Sequence, residues 1–283
     1  YYINYFSNNL LKIFYRFFKK NIRNIYFNIM KNGKTLSPVF LIGCGRSGTT
    51  ILGKTLSKHP KIKYLNERRD IWHKAYPEFN VWGKNIKDSK LYADKSDMIS
   101  ENDKTLKNLL FKEQVLSNAT VLLEKLPINN FRLNFLEESF KNARYIYLTR
   151  NGLEVAKSIE KIISKGGWNR NIDILKTFNV KEKTNYKGMW EWKLSIKQSH
   201  QFFKNLNKKR FIHLSYKDLV DCPFETIKDI FDFLQLEYTE SFVKKICSDI
   251  KRNNSELKKS EDNNIHLIGG ELLEKSISNE YQI

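Results

Sequence analysis

The sequence is poor in cysteine. Cys44, Cys222 and Cys247 form an odd set with no regular spacing, which excludes a disulfide framework and fits a reducing, cytoplasmic compartment. There is no C-x-x-C pair, and His59, His73, His200, His213 and His266 lie far apart in the chain. Neither a zinc site nor any other metal centre is therefore expected. No apolar run reaches the roughly 18 residues that cross a bilayer. Proline is scarce, at five residues, and Gly/Ser runs are few, so no linker divides the chain. Acid is short as well: 31 Asp and Glu stand against 50 Lys and Arg, a net charge of +19. Such an excess attracts nucleotides, acidic substrates, nucleic acid or an anionic membrane. A bias toward Lys, Asn and Ile accounts for part of it.

What is present is concentrated between Pro38 and Pro60, PVFLIGCGRSGTTILGKTLSKHP. Val39 to Ile42 reads as a buried parallel strand. Gly43, Gly45 and Gly48 then mark a loop. A helix follows, with Ile51, Leu52 and Leu56 as its apolar residues and a stop at His59-Pro60. Strand, glycine loop and helix N-terminus together bind an oxyanion through backbone N–H groups and the helix dipole. A nucleoside-triphosphate loop reads G-x-x-x-x-G-K-[ST]. Here Gly43 and Gly48 keep that spacing, but Thr49 stands where the lysine belongs, and Arg46 is the nearest cation.

Further strands are expected over 120–125, 144–149 and 211–214, with an extended piece over 61–69. Helices are expected over 102–116, 130–140, 151–163, 189–206, 223–234 and 239–252. Residues 70–100 read as irregular, with Trp72, Tyr76 and Trp82 as core or cleft residues. Residues 164–187 read as a surface loop, and the tail from 253 is poorly patterned. Strands alternating with helices imply a central parallel sheet flanked by helices, a three-layer α/β fold. Ligands of such sheets sit at the carboxyl ends of the strands. The loop at 43–50, Lys125, Arg150 and Tyr216 all fall there. Residues 1–34 form a basic, amphipathic helical extension to a domain over 35–283. Two readings fit the extension: peripheral contact with an anionic membrane, or packing on the domain or a partner.

The loop resembles the phosphosulfate loop of the sulfotransferases that use 3′-phosphoadenosine 5′-phosphosulfate (PAPS), whose core reads P-R-S-G-T-T. Gly45 replaces the proline, a more permissive residue. The resemblance implies a P-loop-like fold, PAPS as co-substrate, a hydroxyl acceptor and no metal. It assigns Arg46, Ser47, Gly48, Thr49 and Thr50 to the 5′-phosphosulfate. Arg150 through Ser158 resembles the second signature, R-[DN]-x-x-x-x-x-x-S, which grips the 3′-phosphate. Tyr216, in the sequence LSYKDL, resembles a nucleotide-contacting motif. By similarity to the tyrosylprotein branch, Glu67 is the general base and Lys125, with Arg46, stabilises the transferring group. Lys251, Lys258 and Lys259 are candidates for a C-terminal lysine that closes the site.

Two rivals remain at this level. One is a P-loop kinase with an atypical loop, in which Glu124 is the magnesium-linked carboxylate. The other is a basic nucleic-acid-binding module, although no nucleic-acid motif is present and no nucleic-acid partner is expected.

Overall fold

Pro38–Ile42 forms β1, and all of its residues are buried. An unbroken apolar strand needs cover on both faces, which a parallel sheet between helical layers supplies. The computed structural model describes residues 21–278 except 32, 34, 37, 83–88, 169–171, 181–185 and 251–262. In it β1 is the middle of five strands, ordered β2-β3-β1-β4-β5. The others are β2 (Ile62–Asn66), β3 (Val121–Lys125), β4 (Arg144–Thr149) and β5 (Phe211–Ser215). All pairings are parallel, with Phe40 opposite both Glu124 and Tyr145.

Alternation along the strands makes two cores, one on each face. Val39 and Leu41 join Leu123, Ile146 and Leu148 on one side. Phe40 and Ile42 join Leu122, Tyr145 and Tyr147 on the other. Residues 21–30 are helix α1. The remaining helices are α2 (Thr49–Leu56), α3 (Arg69–Ala75), α4 (Ser100–Leu116), α5 (Leu133–Ser139), α6 (Gly152–Ile163), α7 (Ile174–Thr177), α8 (Lys187–Phe203), α9 (Tyr216–Asp221), α10 (Pro223–Leu234), α11 (Glu240–Cys247) and α12 (Asn263–Ser278). α2, α9, α10 and α11 cover the first face. α3, α4, α5, α6, α8 and α12 cover the second. The expected three-layer α/β architecture is the one observed, with strand order reversing about β1.

Several local expectations are corrected. The stretch 70–100 is not wholly irregular, because α3 buries Ile71, Trp72 and Ala75. Trp72 and Tyr76 are core residues at 1% and 0% exposure. Arg132, itself fully buried, donates to the carbonyls of Phe79, Lys90 and Leu91 and so ties down the coil that follows α3. The tail is not featureless either: α12 buries Ile268 and Leu273 in the second core. Residues 216–221 are helical, and Ser215 caps that helix at the Asp218 N–H. Pro223 occupies the first turn of α10 as expected. The interval 164–187 contains α7, and Ile174 there is buried. Residues 1–20, Lys251, Lys258 and Lys259 lie outside the described residues.

Candidate active site

The loop after β1 turns through two left-handed residues, Arg46 at φ 75° and Gly48 at φ 99°. Ser47 N–H donates back to the Cys44 carbonyl at 3.0 Å. The Gly48 carbonyl receives the Leu52 N–H at 3.1 Å, the first helical bond of α2. The remaining early N–H groups of α2 have no intrahelical acceptor, which leaves them available to an anion. Close approach requires glycine in this loop. A Cβ at Gly43 would lie 2.6 Å from the Leu148 carbonyl oxygen, and one at Gly48 would lie 2.4 Å from the Tyr216 ring.

Because β1 is central, the loop is flanked from both sides. β2 and β3 deliver Glu67 and Lys125, and β4 and β5 deliver Arg150 and Tyr216. On the first side, Lys125 is 1% exposed, and its Nζ donates to Glu67 Oε1 at 2.7 Å and to Thr50 Oγ1 at 3.1 Å. Arg69 donates to the other oxygen of Glu67 at 2.8 Å and lies 3.8 Å over the Trp82 ring. Glu67 has a left-handed backbone, φ 52°, pinned by its N–H on the Lys125 carbonyl at 2.8 Å. Burial acts to raise the Glu67 pKa, but hydrogen bonds and charge from Lys125 and Arg69 outweigh it and hold the carboxyl below its usual range. The group is therefore ionised at neutral pH.

On the second side, Asn151 caps α6 by accepting from the N–H groups of Leu153 and Glu154. That cap fixes Arg150 at the strand end. Arg150 donates to the Arg46 carbonyl at 3.2 Å and to Glu154 at 2.6 Å, and its guanidinium lies 4.0 Å over the Tyr216 ring. Arg46 in turn donates from Nε to Ser158 Oγ at 3.0 Å. The two signatures thus touch, although they lie 112 residues apart at Arg46 and Ser158.

The structure brings the β1 loop, Glu67, Lys125, Arg150, Ser158 and Tyr216 together at the carboxyl ends of the strands. Their exposures differ. Arg46 is exposed, Gly48 and Thr50 are half-buried, and Ser47 and Thr49 are buried at 1% and 3%. Thr49 therefore offers its backbone N–H rather than an open hydroxyl, whereas the Ser47 N–H is held by the Cys44 carbonyl. Glu124 does not face the loop. Its oxygens accept from Trp72 Nε1 at 2.9 Å and Asn129 Nδ2 at 2.8 Å in the second core, which removes it as the carboxylate of a kinase site. His59 is also taken: its ring nitrogens lie 3.0 Å from the Glu237 carbonyl and 3.2 Å from the Lys61 N–H.

Sequence reading missed Trp168, Trp192 and Asn130. Trp168 is the reason for Gly45, since a Cβ there would lie 2.4 Å from the indole. The glycine is thus a matter of close approach, not of loop freedom. Trp192 donates to the Arg150 carbonyl at 3.2 Å, and Asn130 donates to the Gly43 carbonyl at 2.9 Å. The absent proline was the only sequence signal for any of the three.

Residues 38–240 match the profile of the sulfotransferase family. The chain is 24% identical to a protein-tyrosine sulfotransferase of Drosophila melanogaster over 207 residues, 72% of this chain and 39% of that protein. It is 24% identical to protein-tyrosine sulfotransferase A of Caenorhabditis elegans over 218 residues, 71% of this chain and 50% of that one. It thus spans half or less of these curated relatives. Among solved structures, the sulfotransferase domain of the Synechococcus PCC 7002 olefin synthase shares the fold, with a TM-score of 0.56, 16% identity, and coverage of 90% of this chain and 98% of that one. The profile covers most of the chain and includes the β1 loop and both of its flanks, so this protein belongs to the sulfotransferase family.

Proposed function

We propose that the chain transfers a sulfuryl group from PAPS to an acceptor hydroxyl. One observation carries the reading: two anion-gripping signatures from different strands meet at Arg46, Arg150 and Ser158. A nucleotide with phosphate at both its 3′ and 5′ ends needs two such grips on one sheet edge. The residues fit that ligand. The N–H groups of Arg46, Gly48, Thr49 and Thr50 serve the 5′ end, with the buried Lys125 ammonium beside Thr50. Arg150 and Ser158 serve the 3′ end, and Tyr216 backs the guanidinium. Bound there, the nucleotide supplies an activated sulfuryl group.

The chain's own work is positioning and charge. Lys125 holds positive charge beside the hydroxyl of Thr50, where oxygen charge develops during transfer. Glu67, ionised and held by its two cations, accepts the acceptor's proton. Its left-handed backbone supports a functional role, since such strain persists where the surroundings enforce it. The names of the two invertebrate relatives put a tyrosyl hydroxyl first among acceptors to try, followed by glycan and lipid hydroxyls.

The test is transfer of labelled sulfuryl from PAPS to a panel of these acceptors in excess chelator. Thr49 stands where a kinase carries lysine, and Glu124 is sequestered, so transfer is expected to survive the chelator. Magnesium-dependent phosphate transfer from ATP, with none from PAPS, would overturn the reading.

A further inference from the structure

Helix α1 is turned inside out for a helix on a globular domain. Its packed side is polar or aromatic. Phe27 lies edge-on to Phe111 of α4 with ring centroids 5.8 Å apart. Arg23 pairs with Glu113 at 3.8 Å, and Asn24 accepts from Lys112. Its solvent side is aliphatic: Ile22, Ile25, Tyr26 and Ile29 are 50%, 61%, 42% and 67% exposed. At about 100° per residue these four fall in one stripe roughly 100° wide, opposite Phe27 and Asn24. A surface helix ordinarily turns such a stripe inward. In sequence the stripe's spacing of three and four continues back through Phe18, Tyr15 and Leu11.

Charge selects the occupant. Residues 1–34 contain seven Lys and Arg, at 12, 16, 19, 20, 23, 31 and 34, and no Asp or Glu. A second copy docking stripe to stripe would bring two uniformly cationic segments together, which is repulsive. An anionic lipid surface offers hydrocarbon to the isoleucines and phosphate to the cations, and Tyr26 suits the boundary between them. No helix among the described residues is long and apolar enough to cross a membrane. We propose that α1 and the basic segment before it seat this protein peripherally on anionic bilayers, with Ile22, Ile25 and Ile29 in the acyl boundary.

The experiment is co-sedimentation of the full chain with vesicles of phosphatidylcholine alone, or with about one third phosphatidylserine. Wild type is expected to sediment with the anionic vesicles, to do so far less with neutral ones, and to release in about 0.5 M salt. Ile25→Asp with Ile29→Asp should weaken binding by roughly tenfold or more at low salt, since burying one isoleucine alone is worth about that factor. Both positions are exposed, so the thermal midpoint should hold, and that measurement guards against misfolding. Wild type remaining in the supernatant, or a double variant that binds as wild type does, would overturn the proposal. So would a wild-type dimer that the double variant dissociates, with no vesicle uptake. No arm reads nucleotide or turnover, so the outcome is independent of the catalytic assignment.

Discussion

At the scale of single residues, Glu67 carries two duties, and the structure shows why they must be measured together. It is the counter-charge of a buried lysine and the proposed proton acceptor. Glu67→Gln keeps the shape but leaves Lys125 without its anion. Stranding a buried donor costs roughly 1–3 kcal/mol, so the thermal midpoint should fall. Loss of the base should remove about 10²- to 10⁴-fold in turnover per folded molecule while bisphosphate affinity holds. Measuring midpoint, affinity and turnover on one sample separates the duties; near-normal turnover would leave Glu67 a structural partner only. The acid side follows from the depressed pKa. The stability Glu67 contributes is present above its unfolded pKa and is lost as pH falls through the lower folded value. Turnover should likewise persist to pH values below the usual carboxylate range. Arg150 presents a different case, because it touches the loop carbonyl and the Tyr216 ring. Losing one charge-assisted pair costs about 1.5–3 kcal/mol. Arg150→Ala should thus weaken binding of adenosine 3′,5′-bisphosphate roughly 10- to 150-fold and leave AMP binding nearly unchanged in calorimetry.

At the scale of elements, the β1 loop and the Trp168 segment are fitted to each other. Gly45→Ala puts a Cβ into the indole, so it should displace Trp168 and change its fluorescence. Trp168→Ala alone opens a gap, and the pair together should cost less than the sum of the two. A double-mutant cycle on bisphosphate affinity checks this, and additivity would mean that the two do not communicate. The same pair shows what sequence could and could not disclose. The strands β1, β3 and β4 were legible because burial on both faces demands unbroken apolar runs. The loop was legible because its glycines and hydroxyls have one common use. Trp168 was not, since its relation to Gly45 spans 123 positions of unrelated pattern. Helix α3 hid among Trp, His and Lys because its burial is set by Phe79, Phe135 and the carbonyls held by Arg132. Helix α12 hid because Gly269 and Gly270 interrupt its pattern, and Gly270 indeed breaks the helix at φ 54°. Glu124 looked like a kinase carboxylate because it follows the apolar run Val121-Leu122-Leu123. Strand alternation sends neighbours to opposite faces, and only Lys125 reaches the loop.

At the scale of the whole molecule, Glu124 and the nucleotide grip make separate claims on folding and function. Burial raises the Glu124 pKa to about 7, against the opposing effect of the Trp72 hydrogen bond. The folded state therefore holds a proton that the unfolded chain releases near pH 4.5. Stability should fall as pH rises between those values and level off above about 7. Glu124→Gln should flatten that fall. Asn129 Oδ1 has no hydrogen-bond partner among the described residues, and a rotated Asn129 amide can receive the glutamine's N–H. Melting wild type and variant at pH 5 and pH 8 checks this: the variant should gain at pH 8, and an equal shift at both would place the raised pKa elsewhere. The proposed function rests instead on the meeting of two signatures around β1. Its most direct test is calorimetric titration of the wild-type chain with adenosine 3′,5′-bisphosphate and, separately, with AMP. The two ligands differ by the single phosphate assigned to Arg150 and Ser158. The bisphosphate should bind at least roughly tenfold more tightly; equal affinity for the two would contradict the assignment of that phosphate.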